Sequence, residues 1–113
     1  MRYEPRYEKF GAAEPGGKTC TVEFRRAGFL TAGDRPELFF FLVDGAEAVV
    51  GISGEALKQF ERGRRRLSRE EKMDIAGLIL KRKIEAGVAL DSRNLMVREE
   101  LLAELASELR LPE

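Results

Sequence analysis

"ELFFFLVDGAEAVVGI", residues 37–52, decides the fold. Two apolar runs of strand length meet at Asp44-Gly45, a dipeptide suited to both positive-φ sites of a type I′ turn, so the stretch reads as a β-hairpin. Residues 38–43 are apolar at every position, whereas 46–52 place Glu47 outward among small residues. A strand apolar on both faces belongs in the middle of a sheet and needs two covers. Helices further along can supply one. For the other the sequence offers the aromatic N-terminal segment or a second copy of the chain.

Working back from the hairpin, the pattern from Lys18 alternates strictly. Cys20, Val22 and Phe24 point one way and Thr19, Thr21, Glu23 and Arg25 the other, which is a half-buried strand. The stretch "AGFLTAGDRP" that follows holds two glycines and Pro36 and reads as a connection, with room for the strand to run on to Leu30. Residues 1–17 repeat "RYE" around Pro5 and then break into "GAAEPGG", so they are expected to be a flexible or draped arm ahead of one domain over 18–113. Tyr3, Tyr7 and Phe10 give that arm something to pack with.

Working forward, three helices are expected. Ser53 is placed to cap the first, which carries Ala56, Leu57 and Phe60 on one face and stops at Gly63. Ser68 followed by Glu71 has capping-box spacing and opens a second helix to Ala86, with Gly87 at its end. Its apolar residues form two stripes, and only the arc through Asp74, Lys81 and Glu85 is plainly polar, so the helix belongs between two partners. After "GVALDSRN" breaks the period, 97–110 resume it with Leu101, Leu102, Leu105, Ala106 and Leu109 on one stripe. Strands first and helices after predict α+β, a three-stranded antiparallel sheet with about three helices on one face.

Composition removes whole classes of chemistry. With no histidine among 113 residues there is no Ser-His-Asp or Cys-His catalysis and no His-based metal site. The single Cys20 alternates with core positions and reads as a small hydrophobe, and one cysteine makes neither an internal disulfide nor a zinc cluster. "GISGE" has Glu55 where a nucleophile elbow needs its last glycine, so Ser53 reads as a cap. No paired carboxylates announce an acid and a base. The expectation is therefore a protein that is not an enzyme and has no cofactor and no metal. Nothing in the chain reads as a signal peptide or a membrane span, and the expected location is cytoplasmic.

Charge is balanced overall, 20 basic against 20 acidic residues, but not along the chain. Residues 58–85 net +5, residues 87–113 net −3 and residues 1–57 net −2. Two binding surfaces follow. Arg62, Arg64, Arg65, Arg66 and Arg69 lie in the segment between the first two helices and are the candidate nucleic-acid contact, although no aromatic interleaves with them to stack bases. Leu101, Leu102, Leu105 and Leu109, backed by the ridge of Glu100, Glu104 and Glu108, are the candidate protein interface. The sequence favours the second: an interaction or assembly module that pairs as a homodimer or with another protein, with nucleic-acid binding as the alternative and no membrane partner.

Overall fold

The computed structural model describes residues 3–111. Their elements are β1 (Lys9–Ala13), β2 (Thr19–Phe29), β3 (Glu37–Val43), β4 (Ala46–Ile52), α1 (Gly54–Glu61), α2 (Arg69–Ala86), β5 (Met96–Val97) and α3 (Glu99–Glu108). The class is α+β. The sheet is not three-stranded but five-stranded, in the order β1-β2-β3-β4-β5. The first three pairings are antiparallel and the last is parallel.

The hairpin forms as the sequence dictates, with Asp44 at φ 50° and Gly45 at φ 86°, both positive as a type I′ turn requires. β3 occupies the centre of the sheet. The two added strands have different origins. β1 comes out of the segment read as an arm: Phe10 pairs with Val22 and Ala12 with Cys20, which puts Phe10 and Ala12 on the core side. β5 is two residues long and pairs with Gly51 and Ile52, held by the amides of Gly51 and Ser53, which donate to the carbonyls of Leu95 and Val97 at 2.9 Å each. Two residues are too few to carry a period, and the sequence reading ran α3 through Val97.

β2 changes register between Phe24 and Arg26, so that Phe24 opposes Phe41 while Arg26 opposes Phe40. This bulge keeps Phe24 and Ala27 on the inner face and turns Arg26 outward. The inner face carries Val22, Phe39, Phe41, Ala48, Val50 and Ile52, all buried in one core with α2 and with the leucines of α3. α2 begins with the expected capping box, Ser68 Oγ accepting from the Glu71 amide and the Glu71 carboxylate accepting from the Ser68 amide. It is enclosed on every side from Met73 to Leu80.

Asp74 is the departure on that helix. The arc that reads as polar is not solvated: Asp74 is 0% exposed. Its carboxylate accepts from the backbone amides of Arg6 at 3.0 Å and Tyr7 at 2.8 Å and from the Tyr3 hydroxyl. The same turn holds Gly77, where a Cβ would stand 2.5 Å from the Cβ of Tyr7. The aromatic segment therefore runs along α2, and it does not cover the outer face of β3.

Candidate functional site

The leucines of α3 are spent inside the chain. Leu102 and Leu105 are 0% exposed, Leu109 is buried, and Leu101 packs half-buried against the same core. The stripe proposed as an interface is thus the inner face of the monomer, because α3 lies on α1 and α2. The acidic ridge behind it is partly answered within the chain: Arg82 of α2 reaches Glu104 at 3.7 Å and hydrogen-bonds Glu108, while Glu100 stays on the surface. Exposed pairs of this kind contribute little, about 0–1 kcal/mol.

The arginines separate in the same way. Arg65 is committed to the structure, its guanidinium forking onto the buried Glu71 carboxylate with one bond at 2.7 Å and also reaching the Arg66 carbonyl. Glu61 accepts from the Leu67 amide at 2.7 Å and so closes the loop that presents the basic residues. Arg62, Arg64, Arg66 and Arg69 are exposed. Arg64 lies 4.6 Å over the ring of Phe60, an aromatic neighbour that sequence spacing did not place beside it. Arg66 borders a polar cleft that also holds Asp34, Glu55 and Glu61. Lys81, Arg82 and Lys83 do not fold back toward this end, since twelve residues of helix separate Arg69 from Lys81, about 18 Å at 1.5 Å per residue.

The cap of α1 is filled. Ser53 is 2% exposed; its Oγ accepts from the Ala56 amide at 3.1 Å and donates to Asp34, whose other oxygen takes the Glu55 amide at 3.0 Å. Those donors hold the Asp34 carboxyl below its ordinary range, the Ser53 hydroxyl first among them. A carboxylate of the chain thus occupies the place where a bound anion would sit. Gly54 is needed there because a Cβ would meet the Asp34 carbonyl at 2.3 Å. Cys20 borders a cavity of about 340 Å³ with Glu14, Val43 and Ile84. Its thiol donates to Glu14 at 3.3 Å, and burial above all pushes its pKa up to about 11, so it stays protonated at neutral pH and acts as a packed apolar group.

What remains is the outer face of the sheet. Register places Leu38, Phe40 and Leu42 of β3 on that side, with Val49 of β4 beside Phe40 and Gly28 and Gly51 flanking Leu38. Met96 of β5 lies over Gly51, where a Cβ would stand 2.9 Å from its methyl carbon, and the same Cβ would touch Leu38 at 3.6 Å. Leu38, Phe40, Leu42, Val49 and Met96 are half-buried and form no part of the core on the other side. Between them runs an apolar groove of about 430 Å³, walled by strand residues and by Leu90 and Leu95 of the connection into β5. Leu30, 52% exposed, stands at its mouth.

Charge marks the two sides of this face. On the β2 side Arg26 is stacked 3.7 Å from the ring centre of Phe40, and Arg25 lies 3.7 Å from Glu23. On the β4 side Glu47 is exposed, in the same row as Leu42. No protein family matches the chain, and comparison with curated proteins and with solved structures finds no significant match.

Proposed function

We propose that this chain is a small interaction and assembly module that works without catalysis and docks through the outer face of its sheet. One observation carries the reading: Leu38, Phe40, Leu42, Val49 and Met96 lie together on the outer face, with Arg26 over Phe40, and among the described residues they are outside the core that the helices build. Contiguous apolar surface of this kind is characteristic of contact sites. The groove beside Met96 adds a concave element, and methionine adapts readily to a partner's shape.

The test is light scattering after size exclusion, across roughly 1 µM to 1 mM protein. The wild type is expected to associate with rising concentration and to do so equally at high salt, as an apolar contact should. Phe40→Glu and Val49→Glu are each expected to stay folded by circular dichroism and to remain monomeric. Unchanged association in both variants would sink the reading. The second reading, phosphate binding by the exposed Arg62, Arg64, Arg66 and Arg69, is tested in the same column with a mixed nucleic-acid pool. Co-elution at low salt that Arg62→Ala with Arg66→Ala abolishes would favour it.

A further inference from the structure

We infer that an extended peptide segment of a partner protein adds as a strand to the open edge of β4, with a basic residue beside Glu47 and an apolar one in the groove walled by Met96. The inference rests on the docking-face reading for the groove and adds to it the edge alongside and the class of partner. The backbone of β4 decides it. β5 covers only Gly51 and Ile52 of the seven residues of that strand. Along an antiparallel ladder, residues that bond across to the neighbour alternate with residues whose N–H and C=O point away from it. Val43 and Ala46 close the two-residue turn, so Ala46, Ala48 and Val50 bond to β3. Gly51 is in the other phase and gives its amide to the Leu95 carbonyl. Glu47 and Val49 share that phase, and among the described residues nothing takes their N–H and C=O groups.

The chain ahead of β5 does not fill the gap. The amides of Asn94 and Leu95 both donate to the Asp91 carbonyl, at 3.1 and 3.0 Å, and coil that stretch into a turn. The groove of about 430 Å³ lies in the space left, bounded by Glu47, Val49 and Gly51 on one side and by Leu90, Leu95 and Met96 on the other. A row of unpaired strand groups is a template for another strand, and proteins ordinarily guard one with Lys, Pro or a bulge. Residues 46–50 hold none of these. Charge then narrows the occupant. Glu47 is the one charged residue of the groove lining, and its carboxylate has no ion pair among the described residues. Asp91 and Arg93, exposed on the connection, cancel, and Asp44 is turned to the Thr21 amide of β2. Two copies of this edge laid antiparallel would set their Glu47 carboxylates side by side or one diagonal apart on one face, and like charges so placed are penalised. A strand with Lys or Arg opposite Glu47, and an apolar residue next on the same face opposite Val49, meets both the charge and the groove.

Amide exchange and peptide titration, both followed residue by residue in proton–nitrogen NMR spectra, test the edge. In the dilute monomer the amides of Glu47 and Val49 should exchange at least about tenfold faster than those of Ala48 and Val50, and equal protection would overturn the open edge. The probes are short capped peptides of Val and Thr that carry Lys and Leu at alternate positions, in either order. One order should bind with a Kd of about 0.1–1 mM and slow exchange at Glu47 and Val49. N-methylation of alternate amides in one phase should weaken that peptide at least about tenfold, and in the other phase leave it within about threefold. Equal effects of the two phases would mean that no strand is added. Glu47→Lys should reverse a preference for Lys over Glu in the peptide, and an unchanged preference overturns the charge assignment. Binding by none of the peptides overturns the inference; edge amides that become protected as protein concentration rises would then name a second copy as the occupant. The docking face is read separately, by light scattering of Phe40→Glu, and stands if that variant loses association, whatever the peptides do.

Discussion

Glu71 is charged and 2% exposed, and it holds together three things at once: the start of α2, the loop before it and one of the five arginines. The Arg65 fork above all, and then the Ser68 amide, hold its carboxyl below the ordinary glutamate range. A carboxyl whose pKa is lower folded than unfolded adds stability that is present above the unfolded value and is lost as pH falls through the folded one. Acidification from about pH 5 to about pH 3 should therefore lower the thermal midpoint, and Glu71→Gln should flatten that fall. The variant should also be less stable at pH 7, by about 1–3 kcal/mol, since Arg65 loses a charged partner. Asp34 and Asp44, both lowered by hydrogen bonds, act in the same sense and keep the slope from vanishing. Ser68 and Glu71 were legible as a capping box because that motif is local; the arginine that completes it was not, because nothing in five exposed basic residues distinguishes the one that forks onto Glu71.

At the scale of elements, α2 and the N-terminal segment are a single unit. Glycine inside a helix ordinarily costs about 1 kcal/mol relative to alanine, so Gly77→Ala would stabilise an isolated helix. Here the added Cβ meets the Tyr7 Cβ at 2.5 Å and the Tyr7 carbonyl oxygen at 3.0 Å, and backbone cannot yield as a flexible side chain does. The segment must lift, and the amides of Arg6 and Tyr7 then leave Asp74, a buried carboxylate that depends on them. The expected net change is a loss of about 1–3 kcal/mol in denaturant unfolding, with faster amide exchange over residues 6–13. A gain in stability would show that the segment does not bear on α2. Helical spacing put Asp74 on a polar arc; it could not reveal that the arc is buried there and faces backbone amides 67 and 68 positions earlier in the chain.

For the whole molecule, an interface that forms only between folded copies links stability to concentration. The wild-type thermal midpoint should rise with protein concentration and that of Phe40→Glu should not, a comparison that differential scanning calorimetry can make directly. A flat wild-type midpoint would count against association through the outer face. By itself the sequence determined the α+β class, the hairpin with its Asp44-Gly45 turn, the starts of α1 and α2 and the buried role of Cys20, because period, turn and cap are short-range properties of neighbouring residues. It also showed that β3 is apolar on both faces. Only the tertiary structure decided which cover went where: the α3 leucines turn inward, residues 9–13 extend the sheet, a two-residue β5 closes its far edge, and the aromatic segment lies on α2. Each of those outcomes depends on which surfaces, far apart in sequence, compete best for the same core, and that competition has no local signature.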